Sequence, residues 1–123
     1  MTLSMSIGLG ASRWDPAAAL AYVGGDRQLL SELLAIFVVD GPAHILALRD
    51  AITRADVAEL TRVAHMLKGE LRTLGAVPAA SLAERLEELG RAGGLHGALM
   101  LLAPLERELS RLLACVRSWR GMT

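Results

Sequence analysis

Six residues in the middle of the chain, Val57, Leu60, Ala64, Leu67, Leu71 and Leu74, alternate spacings of three and four. That period places all six on one stripe of an α-helix, and a stripe this regular must be buried against other helices. Composition agrees with the pattern. Hydrophobic residues make up 53% of the 123 residues, yet aromatics only 3%, so the apolar share is carried mainly by Leu and Ala. These are strong helix formers, and the residues that favour strands are scarce. The length suits one domain.

The flanking segments repeat the pattern. Asp15 caps and Pro16 opens a short helix expected to run to about Val23, where Gly24-Gly25 ends it. Asp26 caps a long helix with Leu29, Leu30, Leu33, Ile36 and Phe37 on its apolar side. Gly41-Pro42 predicts a kink or break, because Pro42 has no N–H to give to the carbonyl of Val38. The pattern resumes through Ile45, Leu48 and Ile52. Gly75 closes the central helix, and Val77 to Leu89 forms the next, with Leu82, Leu86 and Leu89 inward. Gly90 and Gly93-Gly94 punctuate a turn before a last seam of Leu95, Leu99, Leu102, Leu105, Leu109, Leu112 and Val116, which Pro104 either bends or begins. The expected fold is all-α: an antiparallel four-helix bundle over residues 14–119 with a short additional N-terminal helix, after a loose tail over residues 1–13.

Charge, cysteine content and motifs argue against several function classes. Lys+Arg and Asp+Glu are balanced at 13 each, without the basic excess of a nucleic-acid binder. The single Cys115 cannot form an internal disulfide, reads as a small apolar filler, and fits a reducing cytoplasm. The opening residues Met1 to Gly10 lack the basic start of a leader, and no later apolar run reads as long and charge-free enough to span a membrane. A monomer is expected, and the initial methionine with its short tail favours a free-standing protein. His44 and His96 read as surface or capping residues. A zinc site built from His44, His65, His96 and Cys115 would have no recognised ligand spacing, so no metal site is expected. No glycine-rich phosphate loop precedes a helix, which leaves no ATP site.

Chemistry concentrates on the stripe opposite the central seam. Thr61, Arg62, His65, Lys68, Gly69 and Arg72 share that side by helical spacing, so His65 should face solvent among three cations. Cations beside an imidazole favour an incoming phosphoryl group. Gly69 lies one turn after His65. A glycine inside an exposed helix costs roughly 1 kcal/mol relative to alanine, and in return lets another backbone approach the ring; packing against a neighbouring helix is the competing explanation.

The run His65-Met66-Leu67-Lys68-Gly69, followed by Leu74-Gly75-Ala76, resembles the signature of histidine phosphotransfer domains, His-x-Leu-Lys-Gly and then Leu-Gly-Ala. Gly24-Gly25-Asp26 and Asp40 near Pro42 also fit, and the similarity extends from about Trp14 to Arg117. The resemblance implies a phosphocarrier in a multistep His–Asp phosphorelay. His65 would accept a phosphoryl group from a receiver-domain aspartate and pass it to another. Lys68 would assist at the phosphoryl group, and Gly69 would leave room for the receiver. The partners implied are response-regulator receiver domains and a hybrid sensor histidine kinase, with Mg²⁺ supplied by the receiver and no cofactor bound by this chain. A histidine kinase would tend to place an acid straight after its histidine, where this chain has Met66. Arg62, Met66 and Arg72 are candidate binding residues, and Met66 with Ile36 or Val39 would form part of a docking patch. The sequence departs from the family at Glu70, where a small residue is usual. Glu70 lies about 140° around the helix from His65 and should border a neighbouring helix, where an arginine could pair with it. The alternative function is a helical adaptor or inhibitor that binds a signalling protein without being phosphorylated.

Overall fold

The computed structural model describes residues 14–121, all of whose regular structure is helical. The elements are α1 (Pro16–Tyr22), α2 (Arg27–Thr53), α3 (Val57–Thr73), α4 (Val77–Arg91) and α5 (Ala98–Gly121). Short connections force each long helix to run antiparallel to the one before. α2 to α5 form a ring of four in which α2 packs on α3, α3 on α4, α4 on α5 and α5 back on α2. The short α1 leans on α2. The expected bundle with its extra N-terminal helix is therefore present. The tail expected over residues 1–13 lies outside the described residues.

The helix starts follow local chemistry. The carboxylate of Asp15 accepts from the N–H groups of Ala17 and Ala18, that of Asp26 from Leu29, and that of Asp56 from Glu59. Each satisfies backbone donors that the first turn leaves free. Trp14 anchors the chain before α1: its indole N–H donates to the carbonyl of Leu74 at 2.8 Å, and its ring meets that of Trp119 edge-on.

α2 departs from expectation in two ways. It runs unbroken through Gly41 and Pro42. Pro42 costs the helix one hydrogen bond, yet the helix continues on both sides of it, so the expected break is absent. Gly41 serves packing, since a Cβ there would stand 3.0 Å from the ring of Phe37. Because the helix is continuous, its inward face has one phase: Leu30, Leu34, Phe37, Gly41, Ile45 and Leu48 are buried, whereas Leu29 and Ile36 face solvent. α2 is also long and apolar enough, by length and composition, to cross a membrane, contrary to expectation. Part of that apolarity lines the bundle core, while Leu29, Ile36, Val39 and Leu46 of the same helix are exposed.

The central seam is buried as expected at Leu60, Ala64, Leu67, Leu71 and Leu74, joined by Val63, with Val57 half-buried. In α4 the inward face is Ala79, Ala80, Ala83, Leu86, Glu87 and Gly90, and Leu82 and Leu89 are only partly covered. Gly90 is thus inside the helix and not in the turn after it. A Cβ at Gly90 would collide with the hydroxyl of Thr61 and come within 3.3 Å of its Cα, so the glycine sets how closely α3 and α4 approach. α5 starts before Pro104 and continues through it. Leu99 is exposed, while Leu102, Leu105, Leu109, Leu112 and Val116 line the core. Cys115 is partly covered by its neighbours.

Candidate functional site

α3 and α4 lie side by side, with Gly90 opposite Thr61 one turn before His65. That close approach brings Glu87, one turn earlier on α4, level with the imidazole. His65 is 62% exposed and its Nδ1 lies 2.8 Å from Oε2 of Glu87, whose own side chain is 1% exposed. The ammonium of Lys68 reaches Oε1 of the same carboxylate at 2.6 Å, and the guanidinium of Arg91 lies 2.5 Å from Oε2. One buried carboxylate therefore gathers three nitrogen groups.

The ionisation of Glu87 follows from this company. Burial pushes its carboxyl upward, but the hydrogen bonds from Lys68 and His65 and the charges of Lys68 and Arg91 outweigh it, and the carboxyl is held below the usual glutamate range. An ionised carboxylate only accepts hydrogen bonds. The proton of a neutral His65 must then sit on Nδ1, which donates to Glu87, and the lone pair is left on Nε2, the nitrogen directed away from the carboxylate. A buried partner that fixes the tautomer also fixes the plane of the ring.

The three cations of the His65 stripe each have a carboxylate partner. Arg62 is paired with Glu59 at 2.8 Å and also reaches the sulfur of Met66. Arg72 is paired with Glu84 of α4 at 3.2 Å. Lys68 is only 12% exposed and shares the Glu87 carboxylate with His65. The helix stripe correctly placed these residues beside His65, but their carboxylate partners come from an i,i+3 neighbour and from α4, which the stripe alone does not show. Glu87 and Arg91 were missed altogether. The signal available was the phase of Glu87, four residues after Ala83 and three before Gly90 on the inward face of α4. An acid on a buried stripe requires partners from a neighbouring element.

Gly69 is exposed, and a Cβ placed there would meet nothing within 4 Å. Its packing against a neighbouring helix is thereby excluded. Met66, Ile36 and Val39 are all exposed. Glu70 does border a neighbouring helix, but its partner is His44 of α2 at 3.1 Å and not an arginine. His44 is accordingly half-buried and neither a surface nor a capping residue. His96 is exposed in the turn before α5. Among the described residues, His44, His65, His96 and Cys115 are not gathered into a metal-binding group.

The Hpt domain family matches residues 32–115. The fold is similar to the crystal structure of histidine-containing phosphotransfer protein B from Pseudomonas aeruginosa PAO1, with a TM-score of 0.84 and 27% sequence identity over 90% of this chain and 96% of that one. No protein among the curated sequences matches.

Proposed function

The chain belongs to the Hpt domain family, a phosphocarrier fold of His–Asp phosphorelays, and from that premise we propose that His65 is the residue that carries the phosphoryl group. The observation that carries the assignment is the exposed imidazole held through Nδ1 by a buried, ionised Glu87.

In this reading the Nε2 lone pair attacks the phosphorus of a receiver's aspartyl phosphate. The N–P bond forms as the P–O bond to the acyl oxygen breaks, and the receiver aspartate leaves as a carboxylate. The ring keeps its Nδ1 proton and becomes cationic, and Glu87 stabilises that charge at 2.8 Å. This resembles the way a buried aspartate stabilises the imidazolium of a catalytic triad. Phosphoryl transfer asks mainly for positioning and charge stabilisation. The bundle supplies the first through the α3–α4 packing. Lys68 and Arg91 balance Glu87 in the resting state, and Lys68, three residues from His65 on α3, is the cation we assign to the incoming group. Mg²⁺ comes with the receiver. Transfer to a second receiver reverses the same steps.

Receiver domains and kinases are the general partners of this family. For this chain we assign docking to the exposed face around Gly69, with Met66, Ile36 and Val39 as its apolar part, and a cytoplasmic monomer as the working form. The test is phosphoryl transfer from a panel of phosphorylated receiver domains, with His65→Gln as control. Acid-labile label on the wild type and none on the variant supports the assignment. A receiver that binds equally well to both proteins without transfer favours the adaptor reading.

A further inference from the structure

The two flanks of His65 differ in charge. On the α4 side the two carboxylates that reach α3 are matched by permanent cations: Glu84 by Arg72, and Glu87 by Lys68 and Arg91. On the α2 side Glu70 has only the titratable imidazole of His44, and Asp40 close by has no hydrogen-bonded or ion-paired cation among the described residues. Burial and the neighbouring Asp40 raise the Glu70 carboxyl, while His44 opposes the shift.

Glu70 also stands at the edge of an open apolar groove between α2 and α3. Leu33, Ile36 and Phe37 form one wall, and Thr73 and Leu74 the other. Its volume of about 220 Å³ is below the roughly 300–1,000 Å³ of small-molecule sites, and suits one or two protein side chains. At 100° per residue, Gly69 and Thr73 lead around α3 from His65 towards Glu70. Thr73 is only about 12 Å along the axis from His65 at 1.5 Å per residue. A protein partner of ordinary size covers about 800 Å², so a receiver seated over His65 also covers the groove.

We propose that Glu70 is a partner-specificity determinant, selecting receiver domains that place a cationic side chain beside the apolar residues entering the groove. The inference rests on the phosphocarrier reading and deepens it. Complementary charge at an interface rim acts chiefly on encounter and on rejection of wrong partners. The substitution of an acid for the small residue usual at this position then has a use: it changes which receivers dock without touching the reacting atoms.

The test compares wild type, Glu70→Gln, Glu70→Lys and His44→Gln in phosphoryl transfer from a panel of phosphorylated receivers, each at several concentrations and at low and high salt. Thermal melts establish that the variants are folded. For receivers with a cation at the docking rim, Glu70→Gln should raise KM about threefold and Glu70→Lys about tenfold, with kcat held and the effect shrinking at high salt. Receivers without that cation should change little, His44→Gln should leave the preference in place, and replacing the receiver's cation by Glu should restore transfer to Glu70→Lys. A KM indifferent to residue 70, an equal shift for all receivers, or a change in kcat alone overturns the proposal. Failure of every receiver to phosphorylate the wild type is a different result: it removes the phosphocarrier reading, and this inference falls with it.

Discussion

The Nδ1 of His65 lies 2.8 Å from Oε2 of Glu87, so an imidazole that faces solvent is held by a carboxylate that does not. This contact ties the ring to the packing of α4, and the proposed reaction at that ring depends on it. Glu87→Gln should keep a hydrogen-bond acceptor for Nδ1–H while removing the charge that stabilises the phosphorylated ring. Replacing the carboxylate that orients a metal-bound histidine commonly costs ten- to a hundredfold, and by analogy a loss of about tenfold in transfer rate is expected here. Glu87→Ala should in addition unfold more easily, by about 3 kcal/mol, because Lys68 loses the partner of its largely covered ammonium. Chemical denaturation alongside transfer kinetics separates the two effects.

Gly69 supports a division between stability and function. Nothing in the fold occupies the space of a Cβ at this position. Gly69→Ala should therefore stabilise the protein by up to about 1 kcal/mol through helix propensity, yet slow transfer from a receiver whose backbone must approach the ring. Phosphorylation by a small donor such as phosphoramidate should proceed at the wild-type rate. A variant less stable than wild type would indicate that the glycine serves the fold after all.

Gly90 tests the spacing of the two helices that build the site. Gly90→Ala drives a Cβ into Thr61, and overpacking of this kind costs about 1–3 kcal/mol. Because α4 carries Glu87, displacement should also loosen its contact with His65, so transfer should slow as stability falls. Thr61→Ala in the same chain should recover part of both losses, since the Thr61 hydroxyl is the atom nearest the added carbon.

Stability should depend on pH through Glu87. Its folded carboxyl is held below the ordinary value of 4.5. The contribution is therefore complete above about pH 4.5 and is lost as pH falls through the lower folded value, where the native state must take up a proton that the unfolded state already holds. Glu70, raised by burial, has the opposite sign: the native state binds its proton more readily, and its contribution improves as pH falls. Thermal melts from about pH 3 to pH 7 should show acid destabilisation that is weaker in Glu87→Gln and stronger in Glu70→Gln.

Most of the bundle could be read from the chain because helical periodicity is a local signal. The α3 seam from Leu60 to Leu74, the caps at Asp15 and Asp26, and the place of His65 on the outer stripe all depend on residues within two turns of one another. What escaped depends on contacts between helices. On α2 the apolar residues outnumber the inward positions, so the pattern alone does not tell buried Leu30, Leu34 and Phe37 from exposed Leu29 and Ile36, and the helix runs on through Gly41, where the ring of Phe37 fills the space. Gly90 looked like turn punctuation, since its reason for being a glycine is Thr61 on another helix. The same holds at the site. The stripe through Arg62, Lys68 and Arg72 was legible, but the carboxylates of Glu84 and Glu87 that balance it come from α4, and the His44–Glu70 pair joins residues 26 apart.

The proposed transfer turns on one atom, Nε2 of His65. The most direct measurement is to phosphorylate the protein from a receiver and locate the phosphate by phosphorus and long-range proton–nitrogen NMR. The expected result is a single phosphohistidine, at residue 65, bonded through Nε2, with Nδ1 still protonated and paired with Glu87. A phosphate on Nδ1 of His65, or on His44 or His96, would contradict it.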